Sequence, residues 1–99
     1  MSRIASNKTF RVDFGDGEWI DIRSSMSFGD IQDLLGDDAL SDLQKTLKVA
    51  EFAVKSWNIK DDDGNPVEYS PDKLRLLDVK TMLILQEAIS NQYGVSKKN

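Results

Sequence analysis

The chain has 99 residues, 39% hydrophobic and 30% charged, with 17 acidic against 13 basic side chains and a formal net charge of -4. That balance fits one small globular domain able to bury roughly 65% of its unfolded surface, and it argues against a strong phosphate-binding face. Cysteine and histidine are absent, which excludes a disulfide framework, a thiol nucleophile, a Cys/His zinc site and a Ser-His-Asp triad.

Residues 1 to 8 are small and polar and are expected to be mobile. The opening Met1-Ser2-Arg3-Ile4-Ala5-Ser6 lacks the apolar stretch of a signal peptide, and no run of the chain is long and apolar enough to cross a bilayer. Thr9 to Ser24 alternates with the two-residue period of a β-hairpin. A two-residue Asp16-Gly17 turn would set Val12 opposite Asp21 and Asp13 opposite Ile20, mixing charge into the apolar face. A three-residue Gly15-Asp16-Gly17 loop instead gathers Phe10, Val12, Ile20 and Ile22 on one face, sets Arg11 beside Asp21 on the other, and places Gly17 in the left-handed region. The second register is the expected one. It leaves Trp19 with Asp13 and Asp21 on the face away from the core, either covering aliphatic stems at the hairpin edge or serving as an anchor for a partner.

Met26-Ser27-Phe28-Gly29-Asp30-Ile31 has the form of a helix start: Ser27 caps, Asp30 reaches back, and Met26 staples to Ile31. A short helix from Phe28 to Leu35 should end at Gly36. Asp37, Asp38 and Ser41 all offer caps for the next helix, with Asp38 favoured by the Ala39 and Leu40 that follow it. From Leu40 to Trp57 the apolar residues Leu40, Leu43, Leu47, Ala50, Val54 and Trp57 fall at steps of three and four. This predicts the longest helix of the domain, and Val49, Phe52 and Ala53 widen its stripe. The wide stripe could pack against the hairpin and the last helix, or partly face another subunit.

Between Trp57 and Leu77 the chain is expected to turn and come back. Gly64 and Asn65 accept turn conformations, and Pro66 forbids helix continuation. Ser70 is predicted to cap a helix opened by Pro71, with Asp72 favoured by the helix dipole; losing that cap should cost on the order of 1 kcal/mol. Leu74, Leu76 and Leu77 mark a short helix. Asp78 caps a last one from Val79 to about Tyr93, where Met82, Leu85 and Ile89 form a stripe flanked by Leu83, Ile84 and Ala88. Gly94 ends it, and residues 95 to 99 form a loose basic tail. The run Asp61-Asp62-Asp63-Gly64-Asn65 invites a calcium-loop reading but fails on spacing: Gly64 at the sixth position puts Ile59 first and Ser70 twelfth, and neither supplies the required ligand.

The fold expected from these elements is α+β, an N-terminal β-hairpin packed on a small bundle of about four α-helices, in one domain over residues 1–99 with its helical part spanning 27–93. Every Asp and Glu has a plain role as cap, turn former or solvated face, and no glycine lies in a strand-to-helix phosphate loop. No enzymatic activity, cofactor or metal site is therefore expected. The apolar surface of the last helices exceeds what one intramolecular face needs, which leaves area for a partner. The residues picked for partner contact are Trp19, Val49, Phe52 and Ile84.

A Trp closing a helix, an acidic turn of the form Asn-x-x-Asp-x-x-Gly-Asn-Pro (Asn58, Asp61, Gly64-Asn65-Pro66) and Ser70-Pro71-Asp72-x-Leu74-x-x-Leu77 before a last amphipathic helix together resemble the C-terminal half of tail assembly chaperones of long-tailed bacteriophages. The front half, with its short strand Trp19-Ile20-Asp21-Ile22-Arg23 and following helix, is similar to the same family. The resemblance implies a bacteriophage protein of the host cytoplasm that coats the apolar helical tape measure protein, recruits tail tube protein around it during virion morphogenesis, and is absent from the finished particle. It implies neither a nucleic acid nor a membrane as partner. It also implies a longer frameshifted form of the same product, and Lys97-Lys98-Asn99 could be encoded by the adenine run on which ribosomes slip. The alternatives from other classes are a small structural tail or connector protein of the virion, and a host-directed adaptor.

Overall fold

The structure, a computed structural model, describes residues 3–93. Met1, Ser2, Gly94 and the tail 95–99 lie outside the described residues, as do the expectations placed on them. Strand β1 (Thr9–Asp13) pairs antiparallel with β2 (Trp19–Arg23), with Arg11 opposite Asp21 and Val12 opposite Ile20. This is the register that keeps charge off the apolar face. The Phe14 N–H donates to the Glu18 carbonyl at 3.1 Å and closes the three-residue loop. Both loop glycines, Gly15 (φ +86°) and Gly17 (φ +93°), hold positive φ, a region that other residues enter only with strain. Val12, Ile20 and Ile22 are buried as expected, whereas Phe10 stays 42% exposed because it lies on the edge strand. Ahead of β1, residues 3–8 have no regular structure, yet the Ser6 N–H donates to the Ser25 hydroxyl and the Lys8 carbonyl accepts from the Ser24 N–H.

Helix α1 (Phe28–Leu35) begins with the expected capping box: the Asp30 N–H donates to Ser27 Oγ at 3.0 Å and the Ser27 N–H to Asp30 Oδ2 at 3.2 Å. It stops at Gly36, where a Cβ would stand 2.5 Å from the Gln32 carbonyl oxygen.

The stretch from Leu40 to Trp57 is not one helix. Helix α2 (Asp42–Ala53) is capped by Ser41 rather than Asp38: the Gln44 N–H donates to Ser41 Oγ, and the Gln44 side chain accepts from the Ser41 N–H. This two-way box satisfies two orphan donors at once. The helix stops at Ala53, and Val54 turns to an extended ψ of 131° and starts β3 (Val54–Trp57). β3 pairs antiparallel with β2, Trp57 opposite Ile20 and Val54 opposite Ile22, with a register shift that leaves Lys55 without an opposite residue. That bulge explains the misreading. In a regular strand, residues three apart face opposite sides; the extra residue puts Val54 and Trp57 on the same buried face, so their spacing imitates a helix. The hairpin is thus the first two strands of a three-stranded antiparallel sheet in the order β1-β2-β3.

After β3 the acidic run forms a small hairpin, not a helix-to-helix turn. Lys60 bridges Pro66 and the Val67 N–H donates to the Ile59 carbonyl at 3.0 Å. Asp61 Oδ1 accepts from the N–H groups of Asp63 and Asn65, and Gly64 takes a φ of +82°. Trp57 closes a strand rather than a helix. It pins this hairpin by donating from Nε1 to the Val67 carbonyl at 2.6 Å and by meeting Tyr69 edge-on at 5.0 Å. Pro71–Leu76 is a 3-10 helix in which Ser70 makes no side-chain cap; its hydroxyl bonds Asp72 Oδ1 at 2.6 Å and its carbonyl accepts from Lys73. That bond holds the Asp72 carboxyl below its ordinary pKa. Helix α3 (Val79–Tyr93) starts as expected, with the Thr81 N–H donating to Asp78 Oδ1 at 2.8 Å. At 15 residues it, and not the 12-residue α2, is the longest helix.

Helix α2 is the axis of the α+β domain. The 3-10 helix, α3 and α1 all pack on it, and it runs directly into the sheet. The core joins Ile20, Ile22, Val54 and Trp57 of the sheet to Ala50 and Ala53 of α2, Leu74 of the 3-10 helix, and Leu85 and Ile89 of α3. Small alanines on the central helix let the surrounding elements approach closely.

Candidate functional site

Where α1 and α3 meet α2 they leave a groove of about 330 Å³ that opens to the surface. Ile31 and Leu35, four residues apart, put one face of α1 into it. Val49 lines it from α2, and Met82, Ile89 and Tyr93 line it from α3, while Met26 closes the end below the α1 cap. Asp42, Lys45, Thr46, Gln86 and Ser90 add polar groups to the lining. Methionines on two sides of an apolar groove are suited to adaptable packing against side chains of varied shape.

Tyr93 lines the groove but hides its polar end. Its hydroxyl is buried and has no hydrogen-bond partner among the described residues. Burial pushes its pKa up to about 12; the Arg23 charge opposes the rise and the Asp30 charge adds to it. A buried hydroxyl without a partner costs on the order of 1–3 kcal/mol.

The four residues picked from the sequence fall in different places. Val49 lies in the groove. Ile84, 43% exposed, lines a second hollow of about 640 Å³ between α3, the 3-10 helix and the acidic hairpin, where acidic and basic side chains alternate. Phe52 sits under the Arg23 guanidinium, 4.8 Å from its ring centre, and its carbonyl accepts from Arg23 Nε at 3.0 Å. Trp19 lies on the outer face of the sheet, half-buried beneath the Arg11 guanidinium at 3.7 Å, with Arg11 held in a two-bond pair to Asp21. Val49 and Phe52 lie one turn apart on α2, but neither hollow is lined by more than one of the four. Met26, Ile31, Leu35 and Tyr93 were missed, although the Met26–Ile31 staple had already placed two of them at one end of α1.

Among the described residues no group of three or more Asp or Glu side chains is arranged to hold a metal ion, and no helix is long and apolar enough to cross a membrane. Comparison of the chain with protein-family models, curated proteins and solved structures finds no match.

Proposed function

We propose that this chain is a tail assembly chaperone that binds amphipathic helices of a bacteriophage tape measure protein in the groove between α1, α2 and α3, helps recruit tail tube subunits, and performs no catalysis. The observation that carries the reading is the groove itself: a cleft between helices, lined by two methionines and by Ile31, Leu35, Val49 and Ile89. Helix-in-groove recognition needs such a cleft, with anchors spaced along the incoming helix filling it. Exposed Leu43, Leu76, Val79 and Leu83 extend the apolar surface available to a long client. In this reading the protein works in the host cytoplasm.

Co-expression with the tape measure protein tests it. The wild-type chain should keep the long protein in the soluble fraction, and Val49→Asp, which puts a charge in the groove, should release it to the pellet while the variant itself stays folded. A tape measure protein that precipitates equally with and without this chain contradicts the proposal. Mass spectrometry of purified particles adds a second criterion: a chaperone is missing from them, and a chain found in fixed number would be a structural tail or connector protein instead.

A further inference from the structure

The two edges of the sheet are treated differently. The β3 edge is interrupted by the Lys55 bulge, and its Val54 carbonyl accepts from the Tyr69 hydroxyl. β1 has no such covering among the described residues: Thr9, Arg11 and Asp13 are exposed. The ladder bonds to β2 come from the even-numbered residues, as the flanking bonds from Phe14 N–H to Glu18 and from Ser24 N–H to Lys8 show. Alternation then points the backbone N–H and C=O groups of Thr9, Arg11 and Asp13 outward along the free edge.

We propose that β1 is the dimerisation edge of this protein, pairing antiparallel with β1 of a second copy about a two-fold axis at Val12 to form a continuous six-stranded sheet. The charges select both the occupant and the register. Outward-facing groups meet only where odd-numbered residues face odd-numbered residues. Centring the axis on Arg11 sets two guanidiniums directly opposite, which repels. Centring it on Phe10 sets Thr9 against Arg11 and Lys8 against Val12, with no charge matched. Centring it on Val12 sets Arg11 against the second copy's Asp13 and Asp13 against its Arg11, two complementary pairs from one strand. Arg11 already faces Asp21 across β2, so the joined sheet carries an acid-base-acid row over its outer face.

The same register accounts for Phe10. It lies on the core side of the sheet but is 42% exposed, and the two-fold axis at Val12 places it opposite Phe14 of the second copy, giving the seam an apolar underside. The dimer edge lies on the sheet, apart from the helical groove, and does not depend on the function proposed above.

Sedimentation equilibrium of the full chain should show a concentration-dependent dimer. The amide hydrogens of Arg11 and Asp13 should exchange more slowly as concentration rises. Asp13→Lys, which sets Lys against Arg11 and leaves the Arg11–Asp21 pair in place, should weaken dimerisation about tenfold or more with the circular dichroism spectrum unchanged. Because the chain has no cysteine, Val12→Cys introduces its only thiol, and mild oxidation should cross-link it across the axis while Arg11→Cys stays uncross-linked. A chain that remains monomeric to millimolar concentration overturns the proposal. So does a folded Asp13→Lys variant that dimerises like the wild type, or Arg11→Cys cross-linking as readily as Val12→Cys; should Asp13→Lys fail to fold, the exchange and cross-linking results decide.

Discussion

Tyr93 is a side chain ill-placed for stability. Its hydroxyl is buried without a partner, so Tyr93→Phe should leave the fold as stable or raise its stability by about 1 kcal/mol, measured by urea denaturation. The pH dependence follows from the same burial. An ordinary tyrosine in the unfolded chain ionises near 10, whereas Tyr93 holds its proton to about 12 in the folded protein. The native state therefore binds more protons over that interval. The stabilisation is complete below the unfolded pKa and is lost as the pH rises from there toward 12. Stability should fall over that window in the wild type and fall less steeply in Tyr93→Phe. Tyr69 is also raised, by burial and then by the Glu51 charge, so absorbance titration should show both phenols ionising late. Ser70 is the opposite case. Its hydroxyl serves Asp72 instead of capping a helix, and the effect expected of Ser70→Ala drops to within about 0.5 kcal/mol.

At the scale of elements, what could be read in advance depended on whether the signal was local. The hairpin register was legible because only one alignment of Phe10, Val12, Ile20 and Ile22 keeps Asp13 and Asp21 off the apolar face, and β1 and β2 adopt it. The α1 capping box and the Asp78 start of α3 were legible for the same reason: a side chain and its backbone partner lie within three residues. β3 was not, because a strand is defined by its partner. Val54 and Trp57 carry helix-like spacing, and only pairing with β2 reveals Lys55 as the inserted residue. Deleting Lys55 should therefore be tolerated far better than deleting a paired strand residue, since the shortened Val54-Ser56-Trp57 keeps Val54 opposite Ile22 and Trp57 opposite Ile20 on the buried face; thermal melting should keep its cooperative transition. The groove was half legible. The α3 stripe and the Met26–Ile31 staple were visible separately, but that they converge with Val49 depends on how three helices pack. For the α2 start, Ser41→Ala should cost about 1 kcal/mol, read from a shifted denaturation midpoint.

For the whole molecule, the core and the groove share Ala50 and Ile89 and otherwise draw on different residues. In the core, Ile20, Ile22, Ala53, Leu74 and Leu85 form a fully buried centre, and Leu85→Ala should cost about 2–5 kcal/mol in chemical denaturation. By contrast, Ile31, Leu35, Val49 and Met82 line the groove half-buried, so under the function proposed, substitutions at these four should change binding more than folding. Met26 and Met82 both line that groove and provide a direct reporter. With methyl-labelled methionine, adding a soluble amphipathic fragment of the tape measure protein should shift the Met26 and Met82 signals together and in proportion to the complex formed. A complex that forms while both methyl signals stay where they were would contradict the account.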